Sequence, residues 1–204
     1  PAFINYIEQF EGKKPDYWVA HSWGGVLMNS VFARFPEYLK EVKACAYFGS
    51  KRSLFNNHPK KLLQANIIWY FMAPILAKKQ GYLNAKGYKW GSDNESQKSH
   101  YQSMQWAKKR PWIDSDDGFD YAKALAKVQV PPTLHIGAVN DKALAQPVDI
   151  KKFMAESGPG KQTLKIYGKR HGHSVDYDHI NMLTHPRARG EQFKDVVSWF
   201  NEHS

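Results

Sequence analysis

The segment Trp18-Val19-Ala20-His21-Ser22-Trp23-Gly24-Gly25 carries a strand into a helix with no loop between them. Asp16-Tyr17-Trp18-Val19-Ala20 is a short β-prone run. Residues 24–35 turn helical, with Val26, Leu27, Val31 and Phe32 on one side, and Pro36 fits a stop nearby. The junction is a small-x-Ser-x-Gly turn, so tight that the positions two before and two after the serine, Ala20 and Gly24, must be small. Such a turn holds the Ser22 hydroxyl above the strand end. It also aims the N-terminus of the following helix at any negative charge that forms there.

Working outward, Phe3, Ile4, Ile7 and Phe10 recur at helical steps and predict a helix over residues 1–13, broken between Gly12 and Pro15. Short apolar runs follow at residues 42–48, 130–139 and 163–167, each long enough for a strand. Helical patterns lie at residues 148–156 and 189–203, the last with Phe193, Val196, Val197 and Phe200 sharing a face. Strands alternating with helices imply right-handed crossovers and a mostly parallel sheet covered on both faces. The expected class is therefore α/β, with residues 1–53 and 124–204 forming the core. Residues 54–123 break the alternation. They offer no strand, hold four of the seven tryptophans, and are expected to form a mostly helical cap over one edge of the sheet. Their densest part, residues 62–77, contains Ile67-Ile68-Trp69-Tyr70-Phe71-Met72 and is interrupted by Pro74. It falls short of the ~20 apolar residues needed to span a bilayer. A buried lid helix is expected, and a surface that touches lipid is the alternative.

Composition narrows the classes further. A chain of 204 residues with 42% hydrophobic and 14% aromatic residues can bury one substantial core, which argues against disorder. The single cysteine, Cys45, excludes a disulfide framework and a cysteine-rich zinc module. The net charge of +10 would favour an acidic partner, yet the basic residues are scattered. Lys13-Lys14, Lys60-Lys61, Lys78-Lys79, Lys108-Lys109-Arg110 and Lys151-Lys152 are short clusters that read as a solvated face, so no nucleic-acid partner is expected. No basic-then-apolar leader opens the chain, which starts at Pro1, and the cytoplasm is the default compartment.

With its strand before and amphipathic helix after, the His21-Ser22-Trp23-Gly24-Gly25 turn resembles that of the α/β-hydrolase superfamily, particularly its lipase- and esterase-like serine hydrolases. Ala20 departs from the glycine that most relatives carry. The resemblance implies a catalytic triad in the chain order serine, acid, histidine. Pro132-Thr133-Leu134-His135-Ile136-Gly137-Ala138-Val139-Asn140-Asp141 matches the segment that ends on the acid, which selects Asp141. Some relatives place the acid one strand earlier, where Gly49-Ser50-Lys51-Arg52-Ser53 offers no carboxylate. Asp176-Tyr177-Asp178-His179-Ile180-Asn181-Met182-Leu183 resembles the loop that carries the base, which gives His179, with His173 as second choice. His185 is expected to start the last helix, His171 to sit in the loop, and His21 to point away from Ser22 and pack. His171, His173, Asp176, Asp178 and His179 also look like a metal-ligand set. Against the His-x-His-x-Asp-His pattern of metallo-β-lactamases, however, the first aspartate comes one residue late, and the segment follows the last strand. Neither a metal nor another cofactor is expected.

The resemblance implies hydrolysis of a small-molecule or lipid-like carboxylic ester through an acyl-enzyme. The Trp23 backbone N–H is expected to be one oxyanion donor, and Trp69, Tyr70 and Phe71 to line the acyl pocket. An acyltransferase would use the same triad, and a catalytically weak remnant that binds a ligand or partner is the alternative. Haloalkane dehalogenation needs an aspartate where this chain has Ser22. The strands that precede the turn in relatives, and the second oxyanion donor they bring, have no counterpart here. An open sheet edge is therefore expected, with self-association or a complementing chain at that edge and weak turnover by the chain alone.

Overall fold

A computed structural model describes residues 1–55, 58–59, 62–91, 93–108 and 111–204, with the side chains of 62–66 left aside. The Lys60-Lys61 pair, and Lys109 and Arg110 of the fourth basic cluster, lie outside the described residues. Helix α1 (Ala2–Glu11) leads into β1 (Tyr17–His21), α2 (Trp23–Arg34) and β2 (Ala44–Phe48). A wide-turned helix, Leu62–Met72, runs into α3 (Ala73–Gln80), followed by β3 (Tyr82–Leu83), β4 (Glu95–Ser96), α4 (Gln97–Ala107) and α5 (Tyr121–Leu125). The chain returns as β5 (Thr133–Ala138), α6 (Pro147–Glu156), β6 (Gln162–Tyr167), α7 (Asn181–Thr184) and α8 (Gln192–Asn201).

The main sheet has four parallel strands in the order β1-β2-β5-β6. Its register aligns His21 with Phe48 and Phe48 with Ile136, so the residues that leave β1, β2 and β5 emerge at one edge. Both faces are covered, as the alternation of strands and helices requires. On one face Trp18, Cys45 and Tyr47 pack with Val26 and Phe32 of α2, Phe153 of α6, and Trp106, Trp112 and Tyr121. On the other, Ala44, Ala46, Phe48, Leu134 and Ile136 pack with Tyr177, Met182, Val196 and Trp199. The central strands β2 and β5 are buried along their whole length. Strand β1 is an edge strand, and its Val19 is 51% exposed.

Periodicity placed the helices well and their faces less well. Helix α1 buries none of its residues, and of the expected apolar face Ile4 alone packs against the core while Phe3 and Phe10 stay exposed. Leu27 and Val197 are exposed beside buried Val26 and Val196, because the next residue on a helix turns away from its neighbour. The last helix starts at Gln192 rather than Arg189, after a separate short turn over Pro186–Gly190.

Residues 54–123 were expected to hold no strand, yet β3 and β4 form a short antiparallel pair, and Ile113 bridges Asp120. Ala73, Ala77, Leu83 and Ala85 gather a small core of their own, with Trp69 and Trp90 against it. The Leu62–Met72 helix is not buried throughout, since Ile67, Phe71 and Met72 are exposed. Two arginines fasten this region to the rest. Arg52 pairs through both nitrogens with Glu156 (2.6 and 2.7 Å), and its Nη1 donates to the carbonyls of Trp106 and Lys108 at the end of α4. Arg34 of α2 reaches Asp117, Asp114 and the Tyr121 hydroxyl. Arg52 is buried, and stranding a buried charge costs about 3 kcal/mol or more, so its clasp matters more than an exposed pair would.

Candidate active site

At the end of β1 the backbone twists sharply: Ser22 has φ 54° and ψ −118°, a conformation rare for a side-chain-bearing residue. Its N–H donates to the Phe48 carbonyl (2.7 Å), which ties the turn to the neighbouring strand. Trp23 opens α2, so its N–H has no acceptor within the helix. The tightest glycine is not the expected one. A Cβ on Gly24 would lie 3.4 Å from that of Ala20, an ordinary contact. A Cβ on Gly25 would lie 2.5 Å from Ser50 Oγ, so α2 can cross β2 this closely only with glycine there.

Asp141 sits in the turn after β5, buried, with Oδ1 accepting from the Leu144 N–H (3.0 Å). Burial pushes its pKa up, but the hydrogen bond and charge of His179, the Ala145 N–H and the Lys51 charge outweigh this and hold it below 3.8. His179 follows β6 in a turn made by Asp178, whose Oδ1 accepts from the N–H groups of Ile180 and Asn181. Its Nδ1 lies 2.5 Å from Asp141 Oδ2 and its Nε2 lies 2.9 Å from Ser22 Oγ. Gly49, at φ +56°, makes room for this ring, since a Cβ there would meet Cε1 and Nδ1 at 3.0 Å. Three residues drawn from sequence positions far apart are thus linked in one chain of contacts.

His21 was expected to point away from Ser22 and pack; it does pack, but against His179 and beside the cleft. Its Nε2 donates to the His179 carbonyl (2.8 Å), and the two rings lie 4.7 Å apart. Burial lowers its pKa below 6.5, which keeps it neutral beside His179 at neutral pH. The other histidines stand apart from Ser22. His173 packs on Tyr167, with its Nδ1 3.2 Å from the Gly168 N–H. His171 is exposed in a short turn, and His185 accepts from the Arg187 N–H at the start of the Pro186–Gly190 turn. Asp176 accepts from the Lys169 N–H. Among the described residues no three His, Cys, Asp or Glu side chains are grouped to hold a metal ion.

A cleft of about 630 Å³ opens over Ser22. It is lined by His21, Trp23, Lys51 and His179 and, from residues 54–123, by Ile68, Trp69, Tyr70 and Trp90 among others. Trp69 and Tyr70, expected at an acyl pocket, border this cleft. Phe71 does not: it is 66% exposed and outside the lining, because successive helical residues point in different directions. Among the lining residues with no role legible in the sequence, Lys51 lies against the serine itself. Lys51 stands just beyond β2, and its Nζ donates to Ser22 Oγ at 3.1 Å. The place of residues 49–53 just beyond β2, at the strand edge shared with Ser22, is the signal that points to Lys51.

Neither a protein-family model nor any curated protein matches the sequence. Solved structures do match its fold. A soluble variant of monoglyceride lipase from Saccharomyces cerevisiae superposes with a TM-score of 0.60 at 19% identity, over 98% of this chain and 69% of that one. The fold is that of the α/β-hydrolases. A Burkholderia cenocepacia protein assigned as an aryl esterase also has this α/β-hydrolase fold, with a TM-score of 0.51 at 15% identity over 97% of this chain and 69% of its own. A Mycobacterium tuberculosis protein assigned as a non-heme bromoperoxidase gives 0.55 at 14% identity, over 100% and 73%. One α/β-hydrolase fold thus spans several chemistries, and identities this low speak to the fold alone. Among the described residues no helix is long and apolar enough to cross a membrane.

Proposed function

We propose that this protein is a serine hydrolase that cleaves carboxylic esters of small-molecule or lipid-like alcohols through an acyl-enzyme. One observation carries the proposal: the relay Ser22 Oγ–His179 Nε2 (2.9 Å) and His179 Nδ1–Asp141 Oδ2 (2.5 Å). A serine hydroxyl is a weak nucleophile at its own pKa, and a base within hydrogen-bond reach, oriented by an acid, is what activates it. His179 takes the Ser22 proton as Oγ attacks the ester carbonyl, then gives it to the departing alcohol oxygen. Water repeats the sequence and frees the acid, with His179 again as base. Asp141 holds the Nδ1–H tautomer and stabilises the imidazolium. The Trp23 N–H, at the N-terminus of α2, serves the tetrahedral oxygen. Residues 54–123 act as the lid, with Trp69 and Tyr70 walling the acyl pocket. The lipase and esterase names of the structural neighbours agree with this reading.

The test is covalent. A fluorophosphonate probe is expected to label the wild-type chain, and the Ser22→Ala variant is expected to remain unlabelled. A folded wild-type chain that takes no label would leave a ligand-binding remnant as the better description. The open outer side of β1 enters the same proposal. With exposed Val19, and with Phe3 and Phe10 on α1, it presents backbone and apolar surface suited to a second chain. Light scattering is expected to give a mass above the 23.5 kDa of one chain. A monodisperse monomer with full esterase turnover would contradict that association.

A further inference from the structure

We propose that Lys51 is a catalytic residue of this site: its ammonium donates to the ester carbonyl oxygen as that oxygen becomes negative, which makes it the second oxyanion donor beside the Trp23 N–H. The inference rests on the reading of Ser22 as nucleophile. An ammonium carries three donors, and the hydrogen bond recorded for Lys51 among the described residues uses one, on Ser22 Oγ. Lys51 also borders the cleft over Ser22. A carbonyl carbon bonded to Oγ holds its oxygen one bond further on, so a donor 3.1 Å from Oγ lies within the shell where the new charge appears.

The surroundings favour this use. Burial lowers the Lys51 pKa below 10.5, although the Asp141 and Asp149 carboxylates act to raise it. Neutral His21 also faces it, as does His179 from the loop after β6. Desolvating a cation beside a nucleophile costs stability, and such an arrangement is more typical of function than of packing. In the step itself the Ser22 proton passes to His179 Nε2, the Oγ–C bond forms, and the C=O π pair moves onto oxygen. Lys51 keeps its protons throughout. In the free protein it donates to a hydroxyl oxygen. Once Oγ becomes an ester oxygen, a poorer acceptor, the stronger acceptor within reach is the oxyanion. The contact is therefore strongest in the transition state and should act on kcat more than on KM.

The experiment compares wild type, Lys51→Met and Lys51→Arg on a neutral p-nitrophenyl ester, with fluorophosphonate labelling of each. Wild type is expected to label. Lys51→Met is expected to lose about 100-fold or more in kcat while KM stays within a few-fold. Lys51→Arg is expected to recover part of the loss. Its kcat–pH profile should lack the alkaline fall expected of wild type below the ordinary lysine range, since arginine keeps its proton. That profile is read even if Lys51→Met fails to fold. A labelled wild type with Lys51→Met of unchanged kcat, or Lys51→Arg with an unchanged alkaline limb, overturns the Lys51 assignment and leaves the hydrolase reading standing. An unlabelled wild type overturns both.

Discussion

Alanine in place of His179 is expected to lower ester turnover by about 10⁶, while alanine in place of His173 leaves it within a few-fold of wild type. The contrast follows from position. His179 Nε2 stands 2.9 Å from Ser22 Oγ, whereas His173 rests on Tyr167 and contacts Gly168. Without an imidazole at 179, Ser22 loses the base that takes its proton, and Lys51 is placed to donate to Oγ rather than to accept from it. His21 cannot move into the role either, because its Nε2 is committed to the His179 backbone carbonyl. The rate of fluorophosphonate labelling should fall in step with turnover, so the comparison holds even where turnover by the chain is slow. Equal losses in the two variants would place the base elsewhere.

Asparagine in place of Asp141 is expected to reduce turnover by about 10⁴ with little change in KM. The side chain keeps its size, and an amide oxygen can still accept from the Leu144 N–H, as Oδ1 does. The charge is lost, and with it the preference for the tautomer that leaves Nε2 free to accept the Ser22 proton. The same carboxylate bears on acid stability. Its pKa is below 3.8 in the folded chain, so its stabilising contribution is complete above that value. It fades as pH falls through the depressed folded value. Asp141→Asn should therefore unfold with a shallower pH dependence on the acid side than wild type, followed by tryptophan fluorescence. An unchanged acid limb together with unchanged turnover would remove Asp141 from the relay.

Local chemistry made much of this legible in advance. The strand–serine–helix junction was legible from a few adjacent side chains, and the structure adds that Ser22 takes a positive φ. The four strands of the main sheet fall on apolar runs of strand length separated by helical patterns, while their order in the sheet came from the structure. Asp141 and His179 followed from resemblance in short segments, and the fold brings them to Ser22 because parallel strands deliver their carboxyl ends to one edge. The exposed face of α1 was not legible: periodicity says which residues share a side, not whether anything packs there.

The sequence by itself determined the class of fold, the sharp bend at Ser22 and the short segments that hold an acid and a base, because each depends on residues close together along the chain. The tertiary structure alone decided that His21 braces His179, that Phe71 faces away, and that Lys51 arrives beside Oγ. Those outcomes depend on strand register and helix rotation, which sum contacts from the whole chain and leave no mark in any single stretch of it.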